Sequence, residues 1–99
     1  MAAGRLAFAV KRTNVGSTSI NFNWGFTCQK IVIQAPTANT DDVYVDFTGG
    51  TAVNPGANTS GVSFAMIAGT SLVLDDFRAD SLSVIANSGT QTIIVGAFS

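Results

Sequence analysis

Apolar and polar positions alternate with a period of two along most of the chain. Leu6, Phe8 and Val10 fall on one side of an extended segment with Ala7 and Ala9 on the other, and Ile20, Phe22 and Trp24 alternate with Ser19, Asn21 and Asn23. Such alternation marks half-buried strands. From Cys28 to Ala35 the chain is more continuously apolar, and Pro36, which has no N–H to give a ladder, ends the run. Val43, Val45 and Phe47 form the next strand around Tyr44 and Asp46, and the short connection Pro36–Asp41 predicts an antiparallel hairpin between these two strands. Strand character returns at Val62–Ile67, Thr70–Leu74, Leu82–Ala86 and Gln91–Ala97. The last two flank Asn87-Ser88-Gly89-Thr90, a tight-hairpin signal in which Gly89 is free to take positive φ.

Thr48–Gly61 carries four glycines and one proline and predicts an irregular loop of unusual length. No stretch of ten residues keeps apolar positions at i, i+3, i+4 and i+7, so little or no helix is expected. The pattern predicts an all-β fold, a single antiparallel β-sandwich or jelly-roll-like barrel of about eight short strands. Residues 1–19 are expected to form an N-terminal strand or arm and residues 20–99 the β-sandwich, one domain in total.

Composition sharpens this picture. Ten Val, seven Ile and eleven Thr stand against four Leu, a β-branched bias that suits pleated surfaces. Nine Ser and seven Asn supply polar sides to the strands without charge. Charged residues make up 11% of the chain, against about 25% in ordinary domains, and Glu and His are absent. The commonest general acid/base groups and the commonest metal ligand are thereby missing, and an enzyme is not expected. With a net charge of −1 there is no basic field to gather phosphates, so no nucleic-acid partner is expected. The apolar run Leu6–Val10 is too short for a signal-peptide core, and no other run approaches the ~18 apolar residues of a membrane helix. The expectation is a soluble protein with no export signal and no membrane partner.

The candidate chemistry is sparse. Asp41-Asp42-Val-Tyr-Val-Asp46 and Asp75-Asp76-Phe-Arg-Ala-Asp80 share one spacing, and a Ca²⁺ site at Asp41, Asp42, Asp75 and Asp76 can be set against ordinary turn aspartates that bond nearby backbone N–H groups. The turn reading is preferred, and neither pair has the apolar surroundings that glycoside hydrolysis needs to raise a carboxyl pKa. Cys28, the single cysteine, has no histidine to activate it and is expected to be a buried free thiol. Gly49-Gly50 lacks the helix, Lys and Ser/Thr of a phosphate loop. Phe22, Trp24, Phe26 and Tyr44 are candidates for a sugar-stacking platform, but Phe22 and Trp24 share one strand face, as core residues do. Tyr44 falls on the side of its strand opposite Val43 and Val45, free to reach an interface or loop. No cofactor and no metal are expected.

Three runs carry a resemblance: Lys30-Ile-Val-Ile-Gln-Ala-Pro-Thr-Ala-Asn-Thr-Asp-Asp-Val-Tyr-Val45, Ile67-Ala-Gly-Thr-Ser-Leu72, and Leu82-Ser-Val-Ile-Ala86 with the closing Gly89 turn. Over residues 30–98 the chain resembles the small β-sandwich structural proteins of tailed-bacteriophage virions, head decoration (cement) proteins among them. It departs from them at Asp46, where glycine often follows the Val-Tyr-Val strand. The resemblance implies no catalytic residue. It implies a protein made in the host cytoplasm that coats the capsid surface, binding the major capsid protein or another virion protein in many copies, commonly as a homotrimer. A neck, tail or baseplate component is the alternative within that class, and a carbohydrate-binding module is the alternative outside it.

Low charge density independently fits a surface that is mostly covered by neighbours. Candidate partner contacts are Arg5, Lys11 and Arg12, three of the five positive charges, in an N-terminal segment that is either an arm or an ordinary first strand with charges blunting its edge. Tyr44, and Asn54, Pro55 and Asn58 in the long loop, complete the set, the loop being weighed against a disordered tip.

Overall fold

The computed structural model describes residues 5–47, 51–52, 64–87 and 89–99. They form eight strands and, among these residues, no helix: β1 (Leu6–Val15), β2 (Ile20–Asn23), β3 (Lys30–Gln34), β4 (Val43–Asp46), β5 (Phe64–Met66), β6 (Ser71–Asp75), β7 (Ser81–Ala86) and β8 (Gln91–Phe98). Two four-stranded antiparallel sheets result, one in the order β1-β8-β3-β6 and the other in the order β2-β7-β4-β5. The all-β sandwich expected from the alternation is what the chain forms.

The strand order is that of a jelly roll. Strands β1 to β4 pair with β8, β7, β6 and β5 in turn, as they would along one long folded ribbon, and rolling that ribbon sets β3 beside β8 and β4 beside β7. One consequence corrects the sequence reading twice. β3 and β4 are not a hairpin, and neither are β7 and β8, because each of these connections crosses from one sheet to the other. Among the described residues the only consecutive strands that pair are β4 and β5, which the longest connection in the sequence separates. Local turn chemistry announces a reversal of direction but not the sheet in which the next strand lies. Among the described residues of the β7–β8 turn, Thr90 is left-handed, at φ 80°, and Gly89 is not.

Between the sheets lies the core. Ile31, Ile33, Ile93, Val95 and Ala97 of the first sheet face Phe22, Leu82, Val84, Val43, Val45 and Met66 of the second, all buried. Trp24 closes one end: its backbone N–H donates to the Asp80 carbonyl and its indole Nε1–H to the Ala79 carbonyl, both at 3.0 Å, and its ring packs 5.6 Å from that of Phe8.

β1 carries two bulges. Leu6 pairs with Phe98 while Phe8 pairs with Ala97, so one extra residue lies between them and Leu6 is turned to the opposite face from Phe8 and Val10. The expectation that all three share a face fails there, and Leu6 is 49% exposed. The second bulge, between Arg12 and Val15, is accommodated by Asn14 at φ 58°, a conformation asparagine tolerates better than most residues. It returns Val15 to the core, fully buried.

Candidate interaction surface

The antiparallel register fixes which side chains share the outer face of the first sheet, since directly opposed residues point the same way. Three rows run across all four strands in the order β1, β8, β3, β6: Leu6–Phe98–Lys30–Asp75, then Ala9–Gly96–Val32–Val73, then Lys11–Ile94–Gln34–Ser71. The middle row is apolar from edge to edge. Phe98 and Ile94 extend the apolar area on either side of it, and Leu6 and Val73, at opposite edges of the sheet, are 49% and 50% exposed. Gly96 leaves a shallow depression of about 210 Å³, lined by Leu6, Ala9, Val32, Ile94 and Phe98 among others. A Cβ at Gly96 would lie 3.1 Å from Leu6 Cδ1, so glycine here lets Leu6 lie across the sheet.

Three ionisable groups share this face. Lys30 Nζ lies 3.9 Å from an Asp75 carboxylate oxygen and 5.3 Å from the centre of the Phe98 ring, so its charge is held within its own row. Lys11 stands at the far corner, beside Ile94.

The sequence carries a signal for this surface. Ile31-Val32-Ile33, Leu72-Val73-Leu74 and Ile93-Ile94-Val95 are apolar at both parities, the pattern of strands covered on both sides. Only the fold reveals that the three triplets are neighbours, on β3, β6 and β8 of one sheet. Leu6, Val32, Val73, Ile94 and Phe98 are the surface residues that alternation alone does not single out.

The outer face of the second sheet is different in kind. Asn21, Ser83 and Asp46 form one row of it, and Ser83 and Asp46 are buried there. Ala52 lies over this row, its N–H donating to Ser83 Oγ at 2.8 Å. Beside it is a polar depression of about 190 Å³ lined by Asn21, Asn23, Thr51, Ser81 and Ser83 among others.

Of the contact residues proposed from sequence, Arg5, Lys11 and Arg12 are exposed along the edge strand β1 or just before it. Lys11 faces outward beside Ile94, whereas Arg12 is opposite Ile93 and takes the other parity. Tyr44 is half-buried on the outer side of the second sheet, with its hydroxyl 3.5 Å from Asn87 Nδ2. It therefore belongs to the other sheet from β1, the strand that carries Lys11 and Arg12. Asn54, Pro55 and Asn58 lie outside the described residues. The base of their loop is marked by Phe47 and Phe64, whose ring centres are 5.6 Å apart.

The aspartate pairs do not converge. Asp75 is opposite Lys30 at the start of β3, while Asp41 and Asp42 follow the end of β3, so the strand's length separates them. Among the described residues no three Asp or Cys side chains gather as metal ligands would. Asp41 instead accepts the backbone N–H of Asp42 at 2.8 Å, as a turn aspartate does, and Asp76 pairs with the Arg78 guanidinium at 2.9 Å. Cys28 is fully buried, its thiol donating to the Phe77 carbonyl at 3.2 Å. Phe22 and Trp24 are core residues, so with Tyr44 on the outer side they form no common platform.

Comparison with known protein families, with curated proteins and with solved structures finds no match.

Proposed function

We propose that the protein is a non-enzymatic structural subunit of a tailed-bacteriophage virion, a decoration protein that binds the major capsid lattice and stabilises the head. The observation that carries this reading is the outer face of the β1-β8-β3-β6 sheet, an apolar row four strands wide where a free-standing domain would place charge. A subunit that works by being covered needs such a face, whereas a catalyst needs converging titratable groups. The jelly-roll order is at home in capsid proteins, though it serves lectins equally well. The resemblance over residues 30–98 is what points to the tailed-phage head, with the neck, tail or baseplate next in line.

One observation favours the carbohydrate-binding alternative. The depression at Asn21, Asn23, Thr51, Ser81 and Ser83 offers amides and hydroxyls of the kind that bond sugar hydroxyls. Among the described residues the one aromatic that lines it is Phe22, whose side chain is buried in the core. Mass spectrometry of purified particles, with a glycan array on the isolated protein, separates the readings. The decoration reading predicts a copy number of the order of the lattice positions and no glycan signal. Absence from the particles together with a specific glycan signal would replace it.

A further inference from the structure

We propose that the outer face of the β1-β8-β3-β6 sheet is covered by the same face of a second copy of the chain, related by a two-fold axis that lies between the sheets and runs perpendicular to the strands. This rests on reading the face as an assembly contact and names what covers it.

A two-fold contact brings one patch against itself, so the patch must be complementary to its own image. An axis along the middle row lays Ala9, Gly96, Val32 and Val73 over their counterparts and lays the row Leu6–Phe98–Lys30–Asp75 over the second copy's row Lys11–Ile94–Gln34–Ser71. Phe98 then meets Ile94, Lys30 meets the Gln34 amide oxygen, and Asp75 meets the Ser71 hydroxyl. Leu6 meets the aliphatic stem of Lys11, whose ammonium reaches solvent beyond the edge strand. Apolar groups meet apolar groups, each charge in the Lys30–Asp75 pair gains a neutral hydrogen-bonding partner, and no like charges oppose.

The other in-plane axis, parallel to the strands, matches poorly. It sets β1 over β6, so that Leu6 is pressed on Asp75, Ile94 on Gln34, and Lys11 on Ser71. The two arrangements thus assign Ser71 opposite neighbours, a carboxylate in the first and an ammonium in the second.

That difference supplies the test. Sedimentation equilibrium of the purified full chain between about 10 µM and 1 mM should show a monomer–dimer equilibrium, its mass approaching twice the 10.2 kDa chain mass. Val73→Asp puts a charge into the middle row at a half-exposed position and should raise the dissociation constant more than about tenfold with the thermal midpoint little changed. Ser71→Lys should tighten the dimer and Ser71→Asp should loosen it. A chain that stays monomeric to 1 mM, a trimer, or a dimer indifferent to Val73→Asp overturns the proposal. So does the reverse response of the two Ser71 variants, which would require the parallel axis. None of these readings involves a capsid, so a failure here is distinguishable from a failure to bind particles.

Discussion

Asn39 completes the first sheet at Thr92: its Oδ1 accepts the Thr92 N–H and its Nδ2 donates to the Thr92 carbonyl, both at 2.8 Å. Extending the β3–β8 register two residues past the Gln34–Ile94 pair would set Pro36 against Thr92, and proline has no N–H to give. A side-chain amide from three residues further on supplies both halves of the missing ladder step. The same corner is held a second time, by Gln91, whose buried Oε1 accepts the N–H groups of Thr40 and Asp41 at 2.9 and 3.1 Å. This is how the chain leaves one sheet for the other between β3 and β4.

Asn39→Ala removes both bonds to Thr92 and should cost about 2 kcal/mol, read as a lower urea midpoint at unchanged slope. Asn39→Asp keeps the acceptor but sets a carboxylate oxygen against the Thr92 carbonyl. It should lose at least as much. An unchanged midpoint in both variants would mean that the bracket carries no stability.

Gln91→Leu keeps nearly the same volume but leaves the N–H groups of Thr40 and Asp41 without their side-chain acceptor. The expected loss is about 2–3 kcal/mol, again by urea titration. Because Gln91 and Asn39 hold one corner, the double variant should lose less than the sum of the single losses.

Glycine matters at one turn and not at another. Gly69 sits at φ +85°, and a Cβ there would lie 3.1 Å from Thr37 Cγ2, so Gly69→Ala should cost about 1–2 kcal/mol. Gly89 has no neighbour within 4 Å of the added atom and is not in the left-handed region, and Gly89→Ala should stay within about 0.5 kcal/mol. Thermal midpoints of the two variants check the contrast.

Cys28 is enclosed and its thiol is engaged by Phe77. An aromatic disulfide reagent should therefore react only as fast as the protein opens, and at the free-thiol rate in denaturant. Rapid labelling of the native chain would place the thiol at the surface and contradict the packing described.

The edge strand limits how the N-terminal cations can be tested. Removing residues 1–12 would strip most of β1 from β8 and open a new sheet edge, so weaker particle binding by such a truncation would be ambiguous. Replacing Arg5, Lys11 and Arg12 by Gln leaves the strand in place. If these side chains meet an acidic partner surface, the triple variant should bind particles more weakly and with a shallower salt dependence.

Alternation, together with the continuous apolar run that Pro36 ends, was enough to locate all eight strands and to place Phe22 and Trp24 in the core, because these patterns are local properties. The distribution of strands between sheets is not local. The signals at Pro36–Asp41 and Asn87–Thr90 mark real turns, yet both turns lead into the opposite sheet. One inserted residue at Ala7 sends Leu6 to the outer face, and nothing in Leu6-Ala-Phe-Ala-Val10 announces it. The outer face itself is written in three apolar triplets, but its meaning depends on β8, β3 and β6 being adjacent. The Asp pairs failed as a site for the same reason: similar spacing, opposite ends of a strand.

The central claim is tested most directly by sedimenting undecorated capsids of the parent virus after mixing with increasing amounts of the purified protein. The account predicts that the protein pellets with the capsids and saturates at a fixed ratio set by the lattice. Protein that remains in the supernatant at every ratio, while correctly folded, would contradict it.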